Sequence, residues 1–203
     1  PDLPWPHGFT LRGGGVSGGA YASLNLGLSS GDAPEAVEAN RDRLLAALGY
    51  GRDDVCAFHQ VHGRRVLDGT PGWFVEQADA ATSATPGRLL VVSVADCLPL
   101  LFVDPVRGAV GAAHCGWRGT VQGLAGEVVR AMSQRYGSRP ADLRVAIGPG
   151  IQGPCYQVGP GVRPQRVWSA AACTHCEPDR FYSHRRDAGV TGRHWAFIGV
   201  PRA

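Results

Sequence analysis

The chain has no lysine. All 20 of its basic residues are arginine, and 17 acidic residues oppose them, leaving a formal net charge of only +3. The arginines are scattered, adjacent only at Arg64-Arg65 and Arg185-Arg186, whereas a nucleic-acid-binding face needs clustered positive charge. No nucleic-acid partner is expected; a small anionic substrate fits the balance better. Also lacking is any apolar run long enough to cross a bilayer. The opening Pro1-Asp2-Leu3-Pro4-Trp5-Pro6-His7 has neither the charged start nor the apolar stretch of a secretory signal. The expectation is no membrane partner, a cytoplasmic location and reduced cysteines. Among seven histidines there is no His-x-His pair, and the six cysteines hold a single Cys-x-x-Cys, at Cys173 and Cys176. A four-ligand zinc site there lacks two further ligands, so the pair reads as incidental.

Against these absences stand 29 glycines, which suit tight turns and close backbone approach. The length is ample for one core, and a single domain over residues 1–203 is expected. Two helices are predicted. Asp32 can cap a segment from Pro34 to Leu48 that Gly49 stops, with Val37, Leu44, Leu45 and Leu48 on one face. The second runs from about Thr120 to Tyr136, with Val121, Leu124, Val128, Ala131 and Met132 turned inward. Strands are predicted at Val55–His59, Leu89–Val94, Leu100–Val103, Ala109–Ala113, Leu143–Ile147 and Trp195–Val200. Their order shows no regular βαβ alternation. The fold class is therefore α+β, with mixed central β-sheets flanked by helices.

Three segments carry the chemistry: His59-Gln60-Val61-His62-Gly63, Ala95-Asp96-Cys97-Leu98-Pro99 and Ala113-His114-Cys115-Gly116-Trp117-Arg118-Gly119. Each sets a soft or borderline metal ligand beside a residue that ends or bends regular structure. Imidazole and thiolate together suit zinc, and three protein ligands leave one position open. Cys97 follows a buried strand, with Pro99 expected to break the ladder and turn the thiol inward. His114 and His59 end strands, where side chains converge readily. The plainer reading is that a lone Cys packs and a strand-end His makes structural hydrogen bonds, and residue types alone leave both open. Arg12, Arg118 and Arg186 are the candidates to reach an anion, although most arginines serve surface ion pairs. Asn25 reads equally as a turn residue, and Asp96 as a buried structural carboxylate.

Nearly end to end, the ordered motifs resemble the YfiH-like laccase-domain family, also called multi-copper polyphenol oxidases and associated with purine nucleoside phosphorylase activity. They include Arg12-Gly13-Gly14-Gly15-Val16-Ser17, Tyr21-Ala22-Ser23-Leu24-Asn25-Leu26-Gly27, Gln60-Val61-His62-Gly63, Ala95-Asp96-Cys97-Leu98-Pro99 and His114-Cys115-Gly116-Trp117-Arg118-Gly119. Further on come Ile147-Gly148-Pro149-Gly150-Ile151, Cys155-Tyr156-Gln157-Val158-Gly159, Ser183-His184-Arg185-Arg186-Asp187 and Thr191-Gly192-Arg193. The resemblance implies an α/β/β/α sandwich and a catalytic Zn2+ held by His62, Cys97 and His114. It implies a phosphate contact at Arg186 and, more weakly, ribose or phosphate contacts at Arg12 and Asn25. His59 lies outside the implied ligand set. Two departures stand out. Cys115 occupies a position that is commonly Ala, and the stretch between Gly159 and Cys173 is shorter than in the family.

What the resemblance implies is a zinc-dependent phosphorolysis of adenosine, inosine or methylthioadenosine, with a purine nucleoside and phosphate as partners and adenosine deamination as a possible side activity. The His-x-Glu and Pro-Cys-x-x-Cys signature of zinc deaminases is absent, so deamination would need a different construction. A copper phenol oxidase is the alternative. Two His and a Cys suit a blue-copper site, but a multinuclear copper centre needs more imidazoles than seven scattered ones. A Cys-His hydrolase with Cys97 as nucleophile and a non-catalytic binding module are the remaining readings. Oligomeric state, monomer or small homo-oligomer, is left open.

Overall fold

The computed structural model describes residues 3–155 and 172–202. Their strands form two five-stranded mixed sheets. The first has the order β1 (His7–Phe9), β10 (His194–Gly199), β6 (Leu89–Val94), β2 (Val55–His59) and β4 (Gly72–Gln77). Here β2 runs parallel to both β6 and β4, while β10 is antiparallel to its neighbours. The second sheet has the order β3 (Val66–Asp68), β5 (Ala80–Ser83), β8 (Ala109–Cys115), β7 (Leu98–Asp104) and β9 (Arg144–Ile147). Only β3 and β5 pair in parallel there.

Side-chain alternation sets the layers. Along β6, Leu90 and Val92 face Leu101, Val103, Val110 and Ala112 of the other sheet. Leu89 and Val91 point the opposite way, towards Leu45 of helix α1 (Pro34–Leu48). On the far face of the second sheet, Phe102, Ala109 and Ala113 pack against Leu124, Val128 and Met132 of helix α3 (Leu124–Tyr136). The result is the expected helix–sheet–sheet–helix sandwich, with a strand period of two supplying apolar residues to both faces. At Gly111 a Cβ would stand 3.0 Å from Val128 Cγ1, so the bare backbone lets α3 approach β8 closely.

Several expectations need correction. The predicted Thr120–Tyr136 helix is two helices, α2 (Trp117–Val121) and α3, separated where Gly123 takes φ 79°. Left-handed backbone interrupts the helix at low cost only at glycine. Pro99 does not break a ladder. It lies inside β7 opposite His114, and its carbonyl accepts from Gly148 N–H at 2.9 Å. Asp32 makes no side-chain cap at the start of α1. Ala33 holds that position, and the Asp32 carboxylate accepts instead from Ala33 N–H and Asn25 Nδ2. The strands β1, β3, β4 and β5 were not predicted.

Candidate active site and metal centre

The site forms where strand ends of the two sheets meet, and a buried carboxylate organises it. Asp79, fully buried just before β5, accepts from His62 N–H at 2.9 Å and from Val61 and Gly63 N–H at 3.2 and 2.6 Å. Three successive amides converging on one carboxylate hold His62 at φ 60°, a conformation that non-glycine residues adopt only when their surroundings impose it. The same Asp79 Oδ1 lies 2.8 Å from His114 Nδ1. This contact assigns the Nδ1 proton and leaves His114 Nε2 for the cleft, the usual arrangement behind a metal-bound imidazole. Gln60 fixes the other side of the loop. Its amide gives to Ser93 O at 2.8 Å and accepts from Ser93 N–H at 2.7 Å, continuing the pairing of β2 with β6 as a backbone residue would.

Cys97 lies at the turn between β6 and β7, and its Sγ is 4.0 Å from His62 Nε2. One ligand atom each from His62, Cys97 and His114 lies within 4.8 Å of the others. The rings of His62 and His114 are 4.8 Å apart and nearly perpendicular at 78°. Tetrahedral zinc, with bonds of about 2.0–2.3 Å, needs sulfur–nitrogen separations of roughly 3.6 Å, so small side-chain adjustments close the set. Gly116 makes this approach possible, because a Cβ there would stand 2.8 Å from His62 Cδ2 and 3.3 Å from Cys97 Sγ. At Gly119 a Cβ would meet Gly63 O at 2.9 Å. The glycines of the Gly-Trp-Arg-Gly turn thus seat α2 against the His62 loop.

Electrostatics favour the ligand form of Cys97, the thiolate, and hold a displaceable proton on His114. Burial opposes ionisation of the Cys97 thiol, yet hydrogen bonding to His114 and His62 outweighs it and draws the thiol down to about 6. For His114, burial is outweighed by Asp79 and Cys97, which push the imidazole up to about 9. The pair therefore shares one proton as thiolate and imidazolium across neutral pH, a proton that a cation can replace. Cys115, next in the chain, packs in the cluster beneath α3, and burial pushes its thiol up to about 12.

His62, Cys97 and His114 line a cleft of about 620 Å3 whose walls include Phe58, His59 and Phe74. A recess of about 210 Å3, lined by Asp96, Trp117, Arg118, Ile151 and Arg185, shares His62, Ala95, Cys97 and His184 with the cleft. The His59 ring lies 5.3 Å from that of Phe74, so His59 is a wall residue outside the ligand trio. Asp96, at φ 84°, spends one carboxylate oxygen on Thr174 Oγ1 and the other on Arg185 N–H, both at 2.7 Å. Those bonds fit a structural brace better than a free acid–base group.

The structure does not bring the other predicted residues to the cleft surface. Arg186 uses all three guanidinium nitrogens internally, on the carbonyls of Thr174, His175 and Phe181 and on the Asp187 carboxylate. Arg12 donates to the carbonyls of Ala22 and Pro178 and lies 4.9 Å over the Tyr182 ring. Asn25 is fully buried, donating to Ser30 and Asp32 and accepting from Gly27 and Arg193 N–H. It thereby positions Gly27 and Arg193, both of which line the cleft. Arg41 lines the cleft too, clamped on Leu26 O and Glu38. Sequence reasoning missed Asp79, Arg41 and Arg193 as site-forming groups. An acid amid the small apolar residues Ala78-Asp79-Ala80-Ala81 was the available signal for Asp79, since a buried carboxylate needs partners.

A two-sheet sandwich that gathers two imidazoles and a thiol at the floor of a cleft defines a mixed α/β protein with a candidate three-ligand metal centre. The chain belongs to the family described as multi-copper polyphenol oxidoreductase laccase, the YfiH-like family, which matches residues 6–163 and 160–201. It is 42% identical to a protein of Deinococcus radiodurans named purine nucleoside phosphorylase, covering 100% of this chain and 92% of that protein. Against purine nucleoside phosphorylase YfiH of Escherichia coli the identity is 34%, with 98% and 96% covered. The crystal structure of YlmD from Geobacillus stearothermophilus is 34% identical and superposes with a TM-score of 0.88, over 96% of this chain and 91% of that one. The Deinococcus alignment extends over 238 residues, longer than this chain, and the family match divides at 160–163. The shortened stretch expected between Gly159 and Cys173 lies largely outside the described residues.

Proposed function

We propose that the protein is a zinc-dependent purine nucleoside phosphorylase acting on adenosine, inosine or methylthioadenosine. The observation that carries this reading is the convergence of His62, Cys97 and His114, backed by Asp79, at the floor of a cleft of about 620 Å3. That volume is in the usual range for a small-molecule site, and the relatives' names supply the substrate class. The donor set fits zinc: a thiol already drawn towards thiolate and an imidazole whose tautomer is fixed. When bound, zinc would supply Lewis acidity for orienting the substrate or polarising water.

The chain's own groups account for the rest. In phosphorolysis a phosphate oxygen bonds to the anomeric carbon as the carbon–nitrogen bond breaks. The bonding pair leaves with the purine, which takes up a proton. Phe74 offers an apolar wall to the purine, with His59 beside it. Arg118 and Arg185 bring cationic side chains to the recess, and Arg193 brings one to the cleft. Arg118 and Arg193 are better placed than Arg186 to position phosphate, because they line the recess and the cleft while all three guanidinium nitrogens of Arg186 are used internally. Positioning the nucleophile in this way lowers the entropic part of the barrier. Adenosine deamination in the same cleft is a subsidiary proposal, read out as ammonia release that needs no phosphate.

One observation favours a second reading. Cys97, His114 and Asp79 form a thiolate–imidazole–carboxylate chain, which is also the arrangement of a Cys-His hydrolase. The copper oxidase reading suggested by the family's description has the weaker case. Among the described residues the second cluster of possible metal ligands is entirely cysteine, not the additional imidazoles of a multinuclear copper centre. Metal analysis joined to phosphate-dependent base release from a nucleoside panel separates these readings. Cys97→Ala should lose zinc and turnover together. Base release that needs no phosphate, survives complete zinc removal and dies on thiol alkylation would instead favour the hydrolase.

A further inference from the structure

The sequence offers Cys173 and Cys176 no further ligands, but the fold supplies one. Cys155, at the end of the Gly153–Cys155 turn, brings its Sγ to 3.3 Å from Cys176 Sγ. The sulfurs of Cys155, Cys173 and Cys176 all lie within 4.8 Å of one another. Zinc–sulfur bonds of about 2.3 Å place tetrahedral thiolates roughly 3.8 Å apart, so these separations bracket the value a single zinc ion needs.

From this geometry we propose that Cys155, Cys173 and Cys176 form a second, structural metal site, which takes one zinc ion and leaves its fourth position to solvent. The turn around Cys173 is built like a ligand loop. Cys176 and Glu177 N–H both bond to Cys173 O at 3.2 Å, folding the Cys-x-x-Cys back on itself. Gln152 N–H points at Cys173 Sγ at 3.5 Å, and Cys173 bridges to Gly150. Thiolates without imidazole suit zinc or another thiophilic ion, not magnesium or calcium.

The site lies apart from the His62 centre yet is joined to it. Thr174, between the two ligand cysteines, donates to Asp96, the residue before Cys97. Arg186 binds the carbonyls of Thr174 and His175. A zinc ion there holds Thr174 against Asp96. Arg186 thereby becomes a positioning residue for the cysteine turn. This proposal stands whether or not the cleft is a nucleoside site.

The test is zinc stoichiometry of the full chain, reconstituted under reducing conditions and freed of excess metal. Two equivalents are expected for the native protein and one for Cys176→Ser, whose lost side chain is exposed. One equivalent is likewise expected for Cys97→Ala, which empties the other centre. Alkylation should then find Cys155, Cys173 and Cys176 protected by zinc in native protein and in Cys97→Ala, and released by a chelator. One equivalent in native protein that Cys176→Ser retains would overturn the proposal. So would two equivalents that Cys176→Ser retains, or three thiols that zinc fails to protect. An intact mass short by two hydrogens after reconstitution, marking a Cys155–Cys176 disulfide, would overturn it as well. Loss of phosphorolysis alone bears on the cleft and leaves this result standing.

Discussion

Replacing Asp79 by Asn probes the carboxylate that organises the site while changing its volume little. Asp79 Oδ1 serves His62 N–H and His114 Nδ1–H, and Oδ2 serves Val61 and Gly63 N–H. An amide keeps only one acceptor oxygen, so either pair of donors must face an NH2 group. Two hydrogen bonds to a charged acceptor are lost, at about 1.5–3 kcal/mol each, which sets an expected destabilisation of about 3–6 kcal/mol before relaxation. That is a large share of the roughly 5–15 kcal/mol of a typical domain. Loss of the carboxylate behind His114 should also weaken zinc binding by about 10–100-fold. Asp79 is held below the ordinary carboxylate range, since burial is outweighed by His114 and by the Gly63 and Val61 amides. A depressed carboxylate contributes stability above its unfolded value and loses it as pH falls through the folded one. The difference between native protein and Asp79→Asn should therefore shrink in acid. Denaturant unfolding at neutral and acid pH, with chelator competition for zinc, reads all three effects. Unchanged zinc affinity and stability at neutral pH would refute the role given to Asp79.

Further outcomes follow from the same geometry. Between about 6 and about 9 the Cys97–His114 pair holds one proton that zinc displaces, so that pair should raise zinc affinity by about tenfold per pH unit in this window. A flat affinity profile by chelator competition would contradict it. In metal-free protein the pair should leave stability nearly independent of pH there. The depressed thiol adds stability as pH rises, the raised imidazole removes it, and the folded and unfolded chains hold equal numbers of protons. Gly116→Ala should push His62 from Cys97, lowering zinc affinity while circular dichroism stays native; unaltered affinity would count against the close-approach argument. Arg186→Ala should cost about 3 kcal/mol in unfolding experiments, from loss of its charge-assisted bonds. Arg193→Ala should chiefly raise the KM for substrate or phosphate. The opposite pattern would restore Arg186 to the cleft.

The legible parts of the sequence were those where one physical demand dominates. Leu89–Val94 is covered on both faces, so its apolar run marked the strand without ambiguity. Pro34 and Gly49 bounded α1 because each has a restricted or a privileged backbone conformation. The short strands β1, β3 and β4 left little periodicity, and β5, Ala80–Ser83, is too small and mixed to separate from a loop. Gly123 breaks what the apolar stripe reads as one helix. The triad of His62, Cys97 and His114 came from recognised motifs, since nothing in their spacing shows that three strand ends meet. Asp79 and Cys155 stayed hidden for the same reason. Their partners are distant in sequence, and only the tertiary fold brings the carboxylate to His114 or the third sulfur to Cys173 and Cys176.

The central claim is that a zinc ion held by His62, Cys97 and His114 is needed for phosphorolysis in the cleft. Its most direct test is phosphate-dependent release of purine base, measured while zinc is returned to metal-free protein whose Cys176→Ser substitution removes the other proposed site. No release is expected without zinc, release should rise and saturate as one equivalent binds, and none is expected at any zinc level in the double variant with Cys97→Ala. Phosphate-dependent release by the metal-free protein, or undiminished release in that double variant, would contradict the claim.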